Sequence, residues 1–450
     1  MPDIVALLQC LDPYLTATTL RQMSRIIPAL IAMTGRVSML GISRWTDTGG
    51  SYRTLQRFFH TAIPWALVFW LFFRQHLFHP GDTYLLAGDE VVVGKAGQKT
   101  HGVDRFFSSL YGKAVPGLSF FALSLLSTQE RRSYPIMVEQ RVRSTTEKAA
   151  AQAKRKGKKG KQKTRAGKPG RPTGSQNKDK TQVTLTPELQ LVQQMLLKLF
   201  MLINGLIPLS YLVMDGHFGN NNALQMARQC GLHLISKLRH DAALYFPYEG
   251  PYSGTGPYRQ YGEKIDYRHL PTSCLKQVTL DGDIRTAIYQ MTMLHHDFAQ
   301  PLNIVIIVKT NLKTQARAHV VLFSSDLELP DEQLIDYYAL RFQIEFNFRD
   351  AKQYWGLDDF MTVKETAVTN AANLSLFMVN LSHLLLRDFR QEIPRFGVLD
   401  LKAHFRGRKY VAETLKLLPE IPDPILLEQI FDTVAKIGRI HAAEPPLNSS

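Results

Sequence analysis

The sequence predicts an α/β chain: a mixed sheet flanked by helices, with an inserted β subdomain and helical N- and C-terminal regions. Three observations lead there. Short apolar runs rich in strand-forming residues recur at Tyr84–Val93, Leu118–Leu126 and Tyr134–Val142, then at Tyr211–Met214 and Leu232–Leu238. Apolar residues fall at helical spacing before residue 80 and again after residue 362. The long run after Pro330 up to Lys352 has no glycine or proline and reads as helix. At 450 residues the chain is long enough for two or three domains and a sizeable core.

Residues 1–80 carry helical apolar spacing through Leu20–Met33 and Thr54–Trp70. After Gly49-Gly50, the segment to His60 offers Ser51, Tyr52, Arg53 and Arg57, either as an ordinary amphipathic helix or as phosphate contacts. The most apolar run, Ala62–Phe73, spans 12 residues and includes Pro64; that is too short to cross a bilayer. No basic lead into an apolar block marks a signal peptide. Cys10, Cys230 and Cys274 lie far apart, which fits a reducing cytosol and no disulfide scaffold.

Residues 81–142 hold the first three strand runs. Asp89 interrupts the first of them, where a lone carboxylate is costly unless a cation or an opening relieves it. Glu90 is expected on the opposite face, and Asp104 in a solvated turn. The net charge of +15 is concentrated: residues 148–180 hold 13 of the 54 Lys and Arg and only one acid, Asp179. The tract 143–181 has too few apolar side chains to build a core and reads as a disordered, polyanion-binding tether. Within it, Gly170-Arg171-Pro172 resembles the centre of an AT-hook, which inserts arginine into the minor groove, although Pro169 stands where a basic residue is usual. Plain phosphate contact is the alternative.

Residues 182–239 begin with Thr186-Pro187, a capping residue and a first-turn proline, and the helix they open is expected to close at Asn204-Gly205. Tyr211–Met214 then ends in Asp215-Gly216, where the carboxylate is either a turn cap or a ligand at a strand end. Residues 240–300, rich in Tyr, Gly and Pro, read as the inserted β subdomain. Residues 301–362 read as the last part of the core, with strands at Asn303–Lys309 and Ala318–Phe323 returning to it before the long helical run. On a helix of about 100° per residue, Tyr338, Arg341, Glu345 and Lys352 fall within an arc of roughly 60°. Gln343, Asn347 and Asp350 fall on the opposite side, expected to be wet. Arg341 and Glu345 are spaced for an ordinary i,i+4 ion pair, or for a charged site. Residues 363–450 read as helical, with a basic patch at His404–Tyr410.

Tyr338-x2-Arg341-x3-Glu345-x6-Lys352 matches the Y-x2-R-x3-E-x6-K motif of bacterial insertion-sequence transposases of the DDE class. That resemblance implies an RNase H-like core, with Asp89, Asp215 and Glu345 as the catalytic and metal-binding carboxylates. It implies Mg²⁺ or Mn²⁺, two ions, cutting transposon ends and joining the freed 3′-hydroxyl to target DNA by phosphoryl transfer. Arg341, Lys352 and Tyr338 would then meet phosphates, residues 1–80 would recognise DNA ends, and the protein would work as a homodimer on DNA in the bacterial cytoplasm, at the nucleoid, without a membrane. Some relatives hold a flipped base with an aromatic residue of the insertion. Here the insertion has no Trp, the four being Trp45, Trp65, Trp70 and Trp355, so that role stays unassigned. The alternatives are an RNase H-like nuclease without strand transfer and an inactive DNA-binding derivative.

Overall fold

A computed structural model describes residues 4–47, 49–108, 112–149, 179–252 and 254–441. At its centre lies one twelve-stranded sheet. The first part is antiparallel: β1 (Tyr84–Gly94), β2 (Asp104–Ser108), β3 (Lys113–Ser127) and β4 (Arg132–Arg141). β3 pairs with β1 along one edge, and with β2 and then β4 along the other. β5 (Tyr211–Met214) and β6 (His233–Leu238) then add parallel to β1 on its far side. Parallel neighbours need a crossover, and helices supply it. The order β4-β3-β1-β5-β6 is that of an RNase H-like α/β fold.

The strands of the following segment do not start a second sheet. β7 (Leu244–Pro247), β8 (Tyr261–Lys264), β9 (Leu275–Asp281), β10 (Ile284–His295), β11 (Leu302–Asn311) and β12 (Arg317–Ser324) extend the first one, because β12 pairs antiparallel with β6. The chain passes outward from β6, turns back through β10 and β11, and returns to the core edge.

Among the described residues ten helices run for nine residues or more. α1 (Ala17–Ala32), α2 (Tyr52–His60) and α3 (Trp65–His76) precede the sheet. α4 (Pro187–Ile203) and α5 (Asn221–Gln229) flank β5. α6 (Asp331–Leu340), α7 (Gln343–Tyr354), α8 (Glu365–Glu392), α9 (Val398–Leu415) and α10 (Pro424–Val434) follow it. α4 starts where its sequence says: the Thr186 hydroxyl accepts from Leu189 N at 3.3 Å. It stops at Asn204 and Gly205, both in the left-handed region, at φ 47° and 75°.

The terminal helices share the central core. Rings of Trp65, Phe69 and Phe72 on α3 surround Phe377 of α8 at centroid distances of 4.9 to 6.2 Å. Asn370 of α8 donates to the carbonyls of Phe59 and Thr61 at 2.9 and 2.8 Å and accepts from Trp65 Nε1 at 2.8 Å. Among the described residues no helix is long and apolar enough to cross a membrane. The three cysteines are free thiols.

Three local expectations are corrected. The run after Pro330 is two helices, not one: α6 ends at Leu340 and α7 begins at Gln343, with Ile344 and Glu345 donating to Arg341 O and Phe342 O in tight three-residue turns. The supposed wet face is buried at Asn347 and Asp350 and half-buried at Gln343, because α7 lies against β4 on one side and α8 on another. Asn347 there is 2% exposed and donates to Ser133 Oγ, and Asp350 is buried beside Arg349. The basic patch at His404–Tyr410 is spent within the fold: Arg406 donates to Ala32 O, Arg408 covers the Phe431 ring and Lys409 pairs with Asp47. The lysine tract with Arg171 lies outside the described residues, apart from its two ends.

Candidate active site

The pairing of β1 with β5 sets the first two carboxylates side by side. Leu86, Ala87 and Gly88 stand opposite Leu212, Val213 and Met214. Asp89 and Asp215 are the next residue of each strand, so parallel register brings together groups well over a hundred positions apart. Asp215 keeps its capping role as well. Its Oδ1 accepts from His217 N at 3.0 Å, and its carbonyl accepts from Ser236 Oγ on β6 at 2.7 Å. Glu345 comes from the first turn of α7, which packs against β1 and β4. All three acids line one cleft of about 1000 Å³.

Arg341 holds two of them. Its Nη1 lies 3.2 Å from Asp89 Oδ2 and its Nη2 lies 2.9 Å from Glu345 Oε1, with the side chain only 12% exposed. Both earlier readings of this pair are therefore present: the i,i+4 bridge exists, and it sits inside a charged cleft. Burial pushes the Asp89 carboxyl up to about 6. Arg341 and the Glu90 amide oppose that rise, while Asp215 and Glu345 add to it.

This has a measurable consequence. A carboxyl with a folded pKa near 6 and an ordinary unfolded value contributes stability below about pH 4, and that contribution is lost as pH rises to about 6. In chelator, Asp89→Asn is expected to be more stable than the parent at pH 7, by about 2 kcal/mol. The gain should shrink through pH 6 to 4 and vanish below. Denaturant melts across that range check it; a variant less stable at pH 7 would refute the sign.

Lys352 reaches the cleft, where its Nζ donates to Val92 O at 2.8 Å and lies 3.8 Å from Asp358. Tyr338 is not among the residues lining the cleft; its ring centre is 5.8 Å from the Arg341 guanidinium. Burial raises its phenol, with Arg341 opposing and Asp215 and Glu345 reinforcing. Arg53 and Arg57 are exposed on α2 and do not line the cleft. Ser51 caps that helix, accepting from Thr54 N, and Tyr52 borders a separate apolar groove of about 460 Å³. Glu90, expected on the opposite face, also borders the cleft, where Ser119 Oγ donates to it and Arg141 lies 3.8 Å away. Asp104 is not in a turn: it opens β2 and is part-buried near Arg143.

The cleft has a second charged wall that sequence reasoning missed. Glu188, in the first turn of α4, lies 3.4 Å from His217 Nε2 and 3.4 Å from Arg141 Nη1. Burial opposes ionisation of Glu188, yet His217 and Arg141 outweigh it and lower its pKa. The same contact raises His217 against burial, with Asp215 and Glu90 adding to the rise. The sequence offered a signal for His217, two residues after Asp215. For Glu188 it offered none, since an acid after a capping Thr-Pro is explained by the helix start alone.

An RNase H-like sheet thus carries acids at two neighbouring parallel strands, and a third acid on a helix packed against it. A family model described as DDE superfamily endonuclease matches residues 7–295, more than half of the chain, and the chain belongs to that family. It is thus an enzyme of the nuclease and transposase type. The match takes in Asp89 and Asp215 and ends before Glu345, so the third acid rests on the geometry and the motif. No curated protein is significantly similar to the chain.

DDE-type endonuclease domains generally use divalent metals. The donor set here suits one: three hard carboxylates on one cleft, with burial holding the Asp89 carboxyl up even beside Arg341. Yet no group of three or more His, Cys, Asp and Glu among the described residues is set to hold an ion as it stands. Arg341 lies between two of the three acids.

Proposed function

We propose that this chain is a DNA transposase that cleaves the ends of its element and joins the freed 3′-hydroxyl to target DNA. What supports this reading is the meeting of Asp89, Asp215 and Glu345 in one cleft, from three distant segments. Together with the Tyr338-to-Lys352 motif, it favours the insertion-sequence branch over a plain nuclease. Asp89, Asp215 and Glu345 would hold Mg²⁺ or Mn²⁺, which when bound activates the attacking oxygen and stabilises the leaving one.

The chain's own residues do the rest. Lys352 stands where it can neutralise a phosphate beside the acids, and Arg341 offers a planar fork suited to phosphate oxygens. The Asp215 carboxylate is held by a backbone amide and its backbone by Ser236, so it needs little reordering when DNA arrives. The exposed Arg53 and Arg57, and the lysine tract with Arg171, are sequence-independent phosphate contacts in this reading. A homodimer on paired ends is the expected working form.

The test is an in vitro reaction with Mg²⁺, a labelled duplex carrying the element's terminal sequence and a supercoiled target. Cleavage followed by end joining supports a transposase. Cleavage without joining supports the nuclease, and binding without cleavage the inactive derivative.

A further inference from the structure

We propose that Arg341 is an internal counter-ion that gates cation loading of the carboxylate cleft, and that substrate phosphate opens the gate. This rests on the reading that a divalent ion uses Asp89, Asp215 and Glu345. The guanidinium bridges Asp89 and Glu345 at 3.2 and 2.9 Å, nearly buried. A divalent ion sharing the same two carboxylates would meet a like charge at short range, so guanidinium and ion exclude each other there. Without DNA, the ion must first displace Arg341 from two charge-assisted bonds, and its affinity falls accordingly.

Two features make the bridge releasable. The Arg341 Nε is buried with no hydrogen-bond partner, so the five-donor fork is only partly satisfied. Each carboxylate takes only one N–H of the guanidinium here, whereas the two non-bridging oxygens of a phosphodiester can take a parallel pair of its N–H groups bidentately. The residue also stands at the break between α6 and α7, in a tight turn. Its side chain can therefore turn away without unwinding either helix. Phosphate that draws Arg341 off the acids frees them for the ion, and linkage makes the effect mutual: bound ion raises affinity for phosphate. The acids are thus charged with metal only once DNA is seated, which keeps a latent nuclease idle.

The experiment measures Mn²⁺ binding by electron paramagnetic resonance of the free ion. It uses the full chain with and without a short duplex of unrelated sequence, subtracting ions held by the duplex alone. Arg341→Gln is expected to raise DNA-free affinity roughly tenfold, and the duplex to raise wild-type affinity by a similar factor. The duplex should then add little to Arg341→Gln. Arg341→Lys, which cannot span both acids, should lie between. Wild-type affinity in both variants, or an equal duplex effect in all three proteins, would overturn the gate. So would loss of folding in both variants by circular dichroism, since the bridge would then be a structural tie. Asp89→Asn separates the two layers: if it leaves Mn²⁺ binding unchanged, the metal reading of the cleft fails and not the gate alone.

Discussion

Glu345→Gln is expected to abolish strand cleavage, with a fall in rate on the order of a thousandfold or more, while DNA binding stays within about twofold. The substitution keeps the volume of the side chain and its reach to Arg341, whose Nη2 can still donate to the amide oxygen. What disappears is one of three anionic oxygen donors facing the cleft. The loss therefore falls on the chemical step, because phosphate contacts elsewhere are untouched. Single-turnover cleavage and filter binding, run on the same protein, separate the two. Cleavage within tenfold of the parent would remove Glu345 from the catalytic set and leave Asp89 and Asp215 with another partner; Glu188, on the same cleft, would be the next candidate.

Asn370→Ala is expected to cost about 3 kcal/mol of stability in chemical denaturation. The side chain is 1% exposed and serves four groups: the carbonyls of Phe58, Phe59 and Thr61, and the Trp65 indole N–H. Removing it strands buried donors and acceptors that water cannot reach, which costs more than the hydrogen bonds themselves contribute. Those groups lie at the end of α2 and the start of α3, so Asn370 is the pin between the N-terminal helices and α8. Proteolysis should report earlier opening of residues 52–76 in the variant. A loss under 1 kcal/mol would mean that the aromatic packing around Phe377 holds the layer without the pin.

Much of the fold was legible because local rules and tertiary context agree. The strands at Tyr84–Gly94 and Tyr211–Met214 are apolar runs bounded by turn residues, and α4 carries its cap, its first-turn proline and its left-handed stop in its own sequence. The break at Arg341–Phe342 was not legible. It needs no glycine or proline, and nothing in the residue types marks it. The burial of Asn347 and Asp350 was misjudged for a related reason. Polarity predicts a wet face only when no neighbour supplies hydrogen bonds, and Ser133 and Arg349 supply them here. The return of the strand at Ala318–Phe323 to the core was legible, but not that it pairs with β6, since strand text does not say which edge a strand will join.

The sequence by itself determined which side chains could do chemistry: an acid inside an apolar strand, an acid at a strand end, and a cation-acid pair at fixed spacing on a helical run. Residue type and local periodicity carry that much, because they depend on neighbours within a few positions. Only the tertiary structure decided that Asp89 and Asp215 stand side by side, that Glu188 and His217 share their cleft, and that Arg341 lies between Asp89 and Glu345. Those are matters of strand register and helix docking. They are decided by burial summed over the whole core, which no short stretch of chain contains.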